Sequence, residues 1–333
     1  MIFFIDLLRA LAMCLITNSH YVGVYPNDII ANGGLLGDVI FFAVSGFCLS
    51  NIRLPFHRWY VKRILRIYPI VWIIVLFYLA IGQYAITGWR DAVGMFVYPM
   101  PQYHFVASII VLYIPYYIFV FCEKKASQSE RFKKTDFTVA VMIAVAVIWL
   151  LVYAIFYDRS YYHIDTVREP MIRFLYFEAM LIGFYFKKHL ASFENRKGIL
   201  KWFVTAVLFG LYFASKLLFS KREAISRFQI ANQFILLALM TGVIMCVASL
   251  SGRLEKLPAA VKKTVSFLAR ITLEIYVVQF VIIKAFKHFA FPVNWLVITA
   301  VILAAAVILH YVIEGIRYLF SKIRRTQSAQ VNK

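Results

Sequence analysis

IDLLRALAMCLITNSHY, residues 5–21, is an apolar stretch interrupted by Asp6, Arg9 and His20. If a membrane buries it, three polar side chains need a reason to be there, so the solvent around this stretch decides the fold. Composition answers that first. The 333-residue chain is 62% hydrophobic and 17% aromatic, with a mean hydropathy of +0.76, beyond what a soluble globular chain carries. Hydrophobic runs long enough to cross about 30 Å of hydrocarbon as helices recur along its whole length. The short alternating segments of a β-barrel are not the pattern here.

The runs predict an all-α, polytopic transmembrane bundle of about ten spans, near residues 3–23, 33–52, 67–86, 103–122, 136–157, 171–189, 200–220, 228–250, 270–289 and 294–314. Charge tests this parse, because Lys and Arg concentrate in cytoplasmic connections. With the N-terminus inside, the segments 51–66, 123–135, 187–201, 251–270 and 315–333 hold five Lys or Arg each, whereas the outer connections with their flanks hold eight in total. Both termini are therefore expected in the cytoplasm. The net charge of +20 then reads as topology and lipid head-group contact rather than nucleic-acid binding. Asp6 and Arg9 interrupt the first run where a signal peptide is most hydrophobic, so a retained span is expected. Cys14, Cys48, Cys122 and Cys246 show no CxxC spacing, and neither a metal site nor a disulfide framework is indicated. No connection is long enough for a separate soluble domain. The expected organisation is one transmembrane domain over 1–320 and a basic polar tail over 321–333.

On a helix, Arg9 and His20 are eleven residues apart, which puts them within about 20° of each other and about 16 Å apart along the axis. Asp6, three residues before Arg9, is close enough on the helix for an ion pair. An Arg or Asp at mid-span costs about 2.5–3.5 kcal/mol on insertion scales, so such a stripe belongs against the bundle interior or a water-filled cavity. It marks a functional site or, more plainly, a structural Asp–Arg pair with a histidine at the outer interface.

The spacing D-x-x-R followed by ten residues and His, here Asp6, Arg9 and His20, resembles the start of the membrane-bound acyltransferase 3 family. FFAVSGFCLS at 41–50 is similar to the family's FF-x-x-SGF segment. WYVKRILRIYPIVW at 59–72 is similar to its basic R-x-x-R-x-x-P element, through Arg63, Arg66 and Pro69. HFVASIIVLYIPY at 104–116, FLARITLEIYVVQF at 267–280 and HYVIEGI at 310–316 follow in the family's order. Two departures stand out: Gln279 occupies a position where the family often has His, and Thr272 and Leu273 replace a Ser-Tyr.

The resemblance implies a multi-pass cell-membrane enzyme, of bacterial type, that moves an acetyl or other short acyl group onto a hydroxyl or amine of a cell-envelope saccharide. It implies acyl-CoA as donor substrate and no permanently bound cofactor. Such chemistry needs a base, a stabiliser for the tetrahedral oxyanion and a polyanion site. His20 is the expected base, since a neutral imidazole is available near neutral pH. Arg9 and Asp6 join it in the expected catalytic set, with Arg9 holding the thioester carbonyl, the acceptor or only Asp6. Glu314 joins them as a carboxylate able to orient an imidazole. Arg63 and Arg66 share a helical face on the cytoplasmic side, where bidentate guanidinium contacts suit the phosphates of CoA. Arg173, Glu178, Glu274 and Gln279 are further polar groups within spans, each needing a partner, and most of them read as a structural ion-pair lattice. A multi-span transporter or flippase of a polar or lipid-linked envelope precursor is the competing class, with Arg9 and Glu314 as its substrate or proton sites.

Overall fold

A computed structural model describes residues 2–128, 136–157, 171–194 and 198–331. The expected connection 158–170, the basic stretches 129–135 and 195–197, and the tail side chains beyond Lys322 lie outside that description. Every element among the described residues is helical: α1 (Phe3–Ser19), α2 (Gly34–Leu49), α3 (Phe56–Ala80), α4 (Trp89–Phe96), α5 (Met100–Ala126), α6 (Phe137–Phe156) and α7 (Met171–Lys188). They are followed by α8 (Leu190–Glu194), α9 (Leu200–Lys221), α10 (Ile230–Ala248), α11 (Ser251–Leu254), α12 (Ala259–Arg270), α13 (Thr272–Phe286) and α14 (Val293–Val331). Each of the ten expected segments contains one of these helices or part of one, though α3 begins at Phe56 and ends at Ala80, shifted toward the N-terminus of the expected 67–86.

Seven of these helices are long and apolar enough to cross a membrane, and an eighth results if α12 and α13, bent by 67° at their junction, count as one span. The other two expected spans are α1, 17 residues with Asp6 and Arg9 inside it, and α7, which carries Arg173, Glu178, Lys187 and Lys188 in 18 residues. Their charges and short length are what separate them from the rest. Pro69 lies inside α3 and Pro115 inside α5, which helices in lipid tolerate because neighbours re-satisfy the freed carbonyls.

The chain divides into two compact units. The first comprises residues 1–16, 33–60 and 108–266, and its centre is the pairing of α2 with α7. A Cβ on Gly46 would overlap the Met180 carbonyl, and one on Gly183 the Ala43 carbonyl. The two backbones therefore touch where both helices lack a side chain, as small residues allow in lipid. Around that contact Phe42 stacks on Tyr176 at 4.2 Å, Tyr176 donates to Asp38 Oδ2 at 2.8 Å, and Tyr116 donates to the Gly46 carbonyl at 2.6 Å. At one end Lys188 Nζ bridges Glu123 at 2.7 Å and Asp136 at 3.0 Å, and His189 meets the second carboxylate oxygen of Asp136 at 3.0 Å. Asp136 also caps α6 by accepting from the Thr138 amide. Asn232 of α10 donates to the Tyr212 carbonyl of α9 at 2.9 Å. By contrast α6 buries only Thr138 and Trp149 and exposes Ile143, Val147, Ile148, Leu151 and Ile155. An apolar face of that extent calls for lipid, not water.

The second unit comprises residues 17–32, 61–107 and 267–333. Here α13 packs against α14, and α3 joins them through Tyr78, whose hydroxyl donates to the Val278 carbonyl at 2.9 Å. Trp72 Nε1 donates to the Phe96 carbonyl at 2.8 Å and Tyr68 bonds the Val97 carbonyl, which fastens α4 to α3. The segment after α1 is held by Asn18, which donates to the carbonyls of Ile30 and Asn32 at 2.8 and 2.9 Å and accepts from Tyr25 at 2.7 Å. Basic residues of the tail continue α14 to Val331.

Candidate active site

In the first unit, the polar groups of α1 do not form the expected ion pair. Asp6, 2% exposed, accepts from Ser266 Oγ at 2.8 Å, while Arg9 Nη2 points to Cys48 Sγ at 3.5 Å. Ser266 had no signal in the sequence. A single chain does not say which helix stands beside which, and 260 residues separate the partners.

His20 follows the last turn of α1 and belongs to the second unit. Its neighbour Tyr21 meets Thr299 of α14 through a 2.9 Å hydroxyl contact, and Asn294 of α14 donates to the Val24 carbonyl at 2.8 Å. These two bonds fix the depth at which His20 sits. Its ring lies edge-on to Phe280 of α13, centroids 4.7 Å apart, and His104 of α5 is within electrostatic reach. Tyr103, where the backbone of α5 leaves the helical region, donates to the Val277 carbonyl at 3.1 Å and meets Tyr84 at 3.2 Å. Tyr103 also packs against Tyr276 and Phe280. His20 therefore stands at the edge of a tyrosine-rich wall. Gln279, within that wall, is fully buried, and neither amide atom has a hydrogen-bond partner among the described residues.

Two further polar groups lie along α14. Thr299 to His310 is eleven residues, or about 16 Å along the axis at 1.5 Å per residue. His310 Nδ1 is 3.0 Å from Glu274 Oε1 of α13, and both residues are buried. This is the histidine–carboxylate contact that the sequence could not assign. Seven residues further on, about 10 Å, Arg317 donates Nη1 to Glu314 at 2.8 Å and turns Nη2 to the Arg66 carbonyl of α3 at 3.5 Å. Glu314 is exposed and meets an arginine rather than an imidazole. Arg63, one turn before Arg66, is half-buried, and Arg66 is exposed.

Within this unit, then, an imidazole marks one level and a group of guanidiniums another. The first can exchange a hydroxyl proton, and the second can hold a polyanion through bidentate contacts. Among the described residues no three His, Cys, Asp or Glu side chains stand close enough to share a metal ion. A family model described as an acyltransferase domain, acyltransferase 3, matches residues 2–315. No curated protein and no solved structure matches the chain.

Proposed function

The chain belongs to the acyltransferase 3 family and is an acyltransferase that moves groups other than amino-acyl groups; we propose that it takes a short acyl group, acetyl first among them, from cytoplasmic acyl-CoA and passes it to a hydroxyl or amine of a cell-envelope saccharide. The observation that carries this reading is a separation of levels along α14. The Tyr21–Thr299 contact beside His20 and the Arg317–Arg66 contact are eighteen residues apart on that helix, about 27 Å. That is close to the hydrocarbon thickness of a bilayer. A polyanion-binding end and a proton-accepting end at such a distance suit a donor held from one face and an acceptor met at the other.

The charge distribution supports a cytoplasmic position for the arginine end and for both termini, with ten crossings if α1 and α7 insert beside their neighbours. His20 accepts the acceptor's hydroxyl proton as its oxygen attacks the thioester carbonyl. The C–S bond then breaks, and the thiolate sulfur takes the proton back from the imidazolium, so protons balance without any added reactant. In the first unit, Asp6 and Arg9 carry opposite charges that offset each other within the hydrocarbon.

Arg63 and Arg66 hold the phosphates of the donor. Lys at either position keeps the inside charge and the topology but loses the planar fork. Each such charge-assisted bond is worth about 1.5–3 kcal/mol, so Arg63→Lys and Arg66→Lys should each raise the KM for acyl-CoA roughly ten- to a hundredfold with a smaller change in kcat. The measurement is transfer rate against acyl-CoA concentration in nanodiscs. Unchanged KM in both variants would leave these arginines as topological anchors only.

A further inference from the structure

Gln279 of α13 is fully buried, and neither its Oε1 nor its Nε2 has a hydrogen-bond partner among the described residues. Its neighbours fare better: Tyr78 donates to the Val278 carbonyl, and Tyr103 donates to the Val277 carbonyl while meeting Tyr84. A buried amide left unpaired is costly, and methionine or leucine would fill the same place without that cost. Tyr276 and Gln279, three residues apart, share a face of α13. The Tyr276 ring packs on Tyr103 at 6.0 Å and on Phe280 at 5.6 Å. Phe280 is the ring that meets His20, and it lies one residue, or about 1.5 Å along the axis, from Gln279. The unpaired amide therefore stands at the depth of the imidazole, behind an aromatic surface in which His20 and Phe280 are only half-buried.

We propose that Gln279 binds the acceptor, gripping two adjacent hydroxyls of the sugar ring whose reacting hydroxyl gives its proton to His20. This inference rests on the saccharide reading given above and names the side chain by which the acceptor is chosen. A carboxamide presents an acceptor oxygen and an N–H donor side by side. Adjacent sugar hydroxyls present the complement, one donating to Oε1 and the other accepting from Nε2. The rings of Tyr276 and Phe280 offer apolar surface to the C–H groups of the sugar, as in pockets where a few polar groups set orientation. Phe280 packs through ring contacts with His20, Tyr103 and Tyr276, and it turns aside for the hydroxyls to reach the amide.

The test compares the full chain in nanodiscs as wild type, Gln279→Met and Gln279→Leu. Thermal unfolding comes first. Gln279→Met should unfold at or above the wild-type midpoint, because apolar atoms replace an unpaired amide. A lowered midpoint in both variants would show that the amide serves the fold and would overturn the proposal. Transfer from acetyl-CoA is then followed with the methyl glycosides of glucose, galactose and mannose, and with monodeoxy analogues of the one acylated fastest. Wild type should reject at least one analogue that keeps the acylated hydroxyl by about a hundredfold or more in kcat/KM, the penalty for leaving a buried polar group unpaired. In Gln279→Met, kcat/KM for the parent glycoside should fall roughly ten- to a hundredfold, and the discrimination should shrink to within about threefold. The KM for acetyl-CoA should stay the same. Equal discrimination in wild type and both variants, or a loss confined to the donor's KM, would overturn the proposal. If wild type acylates none of the glycosides, the saccharide reading fails as a whole; if it acylates one with discrimination that does not depend on Gln279, this inference alone fails.

Discussion

Alanine at His20 is expected to lower kcat by about a hundred- to ten-thousandfold, the range that a positioned general base contributes. The protein should remain inserted and folded. The imidazole makes one edge-on contact, with Phe280, and such a pair is worth only about 0.5–1.5 kcal/mol beyond its burial. The KM for acyl-CoA should change little, because the arginine end lies about 27 Å away along α14. Turnover and thermal unfolding measured on the same preparation separate the two effects. Wild-type turnover in His20→Ala would remove this histidine from the chemistry and turn attention to His310, whose Nδ1 already has a carboxylate partner in Glu274.

The second large effect concerns the first unit. Gly183→Ala would set a methyl group onto the Ala43 carbonyl, which belongs to helical backbone and cannot rotate away as a side chain would. The helices α2 and α7 must then separate, disturbing the Phe42–Tyr176 stack and the Tyr116 bond to the Gly46 carbonyl. Overpacking a tight core costs about 1–3 kcal/mol and occasionally more, and an obstruction by backbone on backbone belongs at the upper end. Gly210 in α9 is the control, since a Cβ there meets nothing within 4 Å. Gly210→Ala should leave stability unchanged or raise it by up to about 1 kcal/mol through helix propensity. Thermal unfolding in detergent reads both. An unchanged midpoint for Gly183→Ala would mean that α2 and α7 do not meet through these glycines.

Most of the helices were legible because membrane spans announce themselves by length and hydropathy, and α5, α6, α9 and α10 coincide with the expected segments within a few residues. The helix α12 was not: the expected span begins at residue 270, close to where α13 starts, but the basic connection before it was expected without the helix that meets α13 at a 67° bend. Of the site, His20, expected within the first helix, follows the end of α1 at Ser19, whereas the spacing of Arg63 and Arg66 on α3 could be read locally, since a helix fixes which of its own residues share a face. The partners could not. Ser266 for Asp6, Glu274 for His310 and Arg317 for Arg66 each come from a distant helix. Register between spans depends on close packing of side chains all along the contact, and that information is spread too thinly over a single sequence to be recovered by inspection. Glu314 illustrates the cost: the resemblance offered it as a carboxylate able to orient an imidazole, but the side chain turns to Arg317.

The central claim is transfer of an acyl group from cytoplasmic acyl-CoA to an envelope saccharide on the far side of the membrane. Sealed proteoliposomes with the basic connections outward, loaded with the saccharide acceptor and given acyl-labelled CoA outside, test it directly. The account predicts label on the enclosed saccharide, dependent on His20, and none when the labelled donor is supplied only on the inner face. Label that appears only with the donor enclosed, or passage of unmodified saccharide without any acylation, would contradict it.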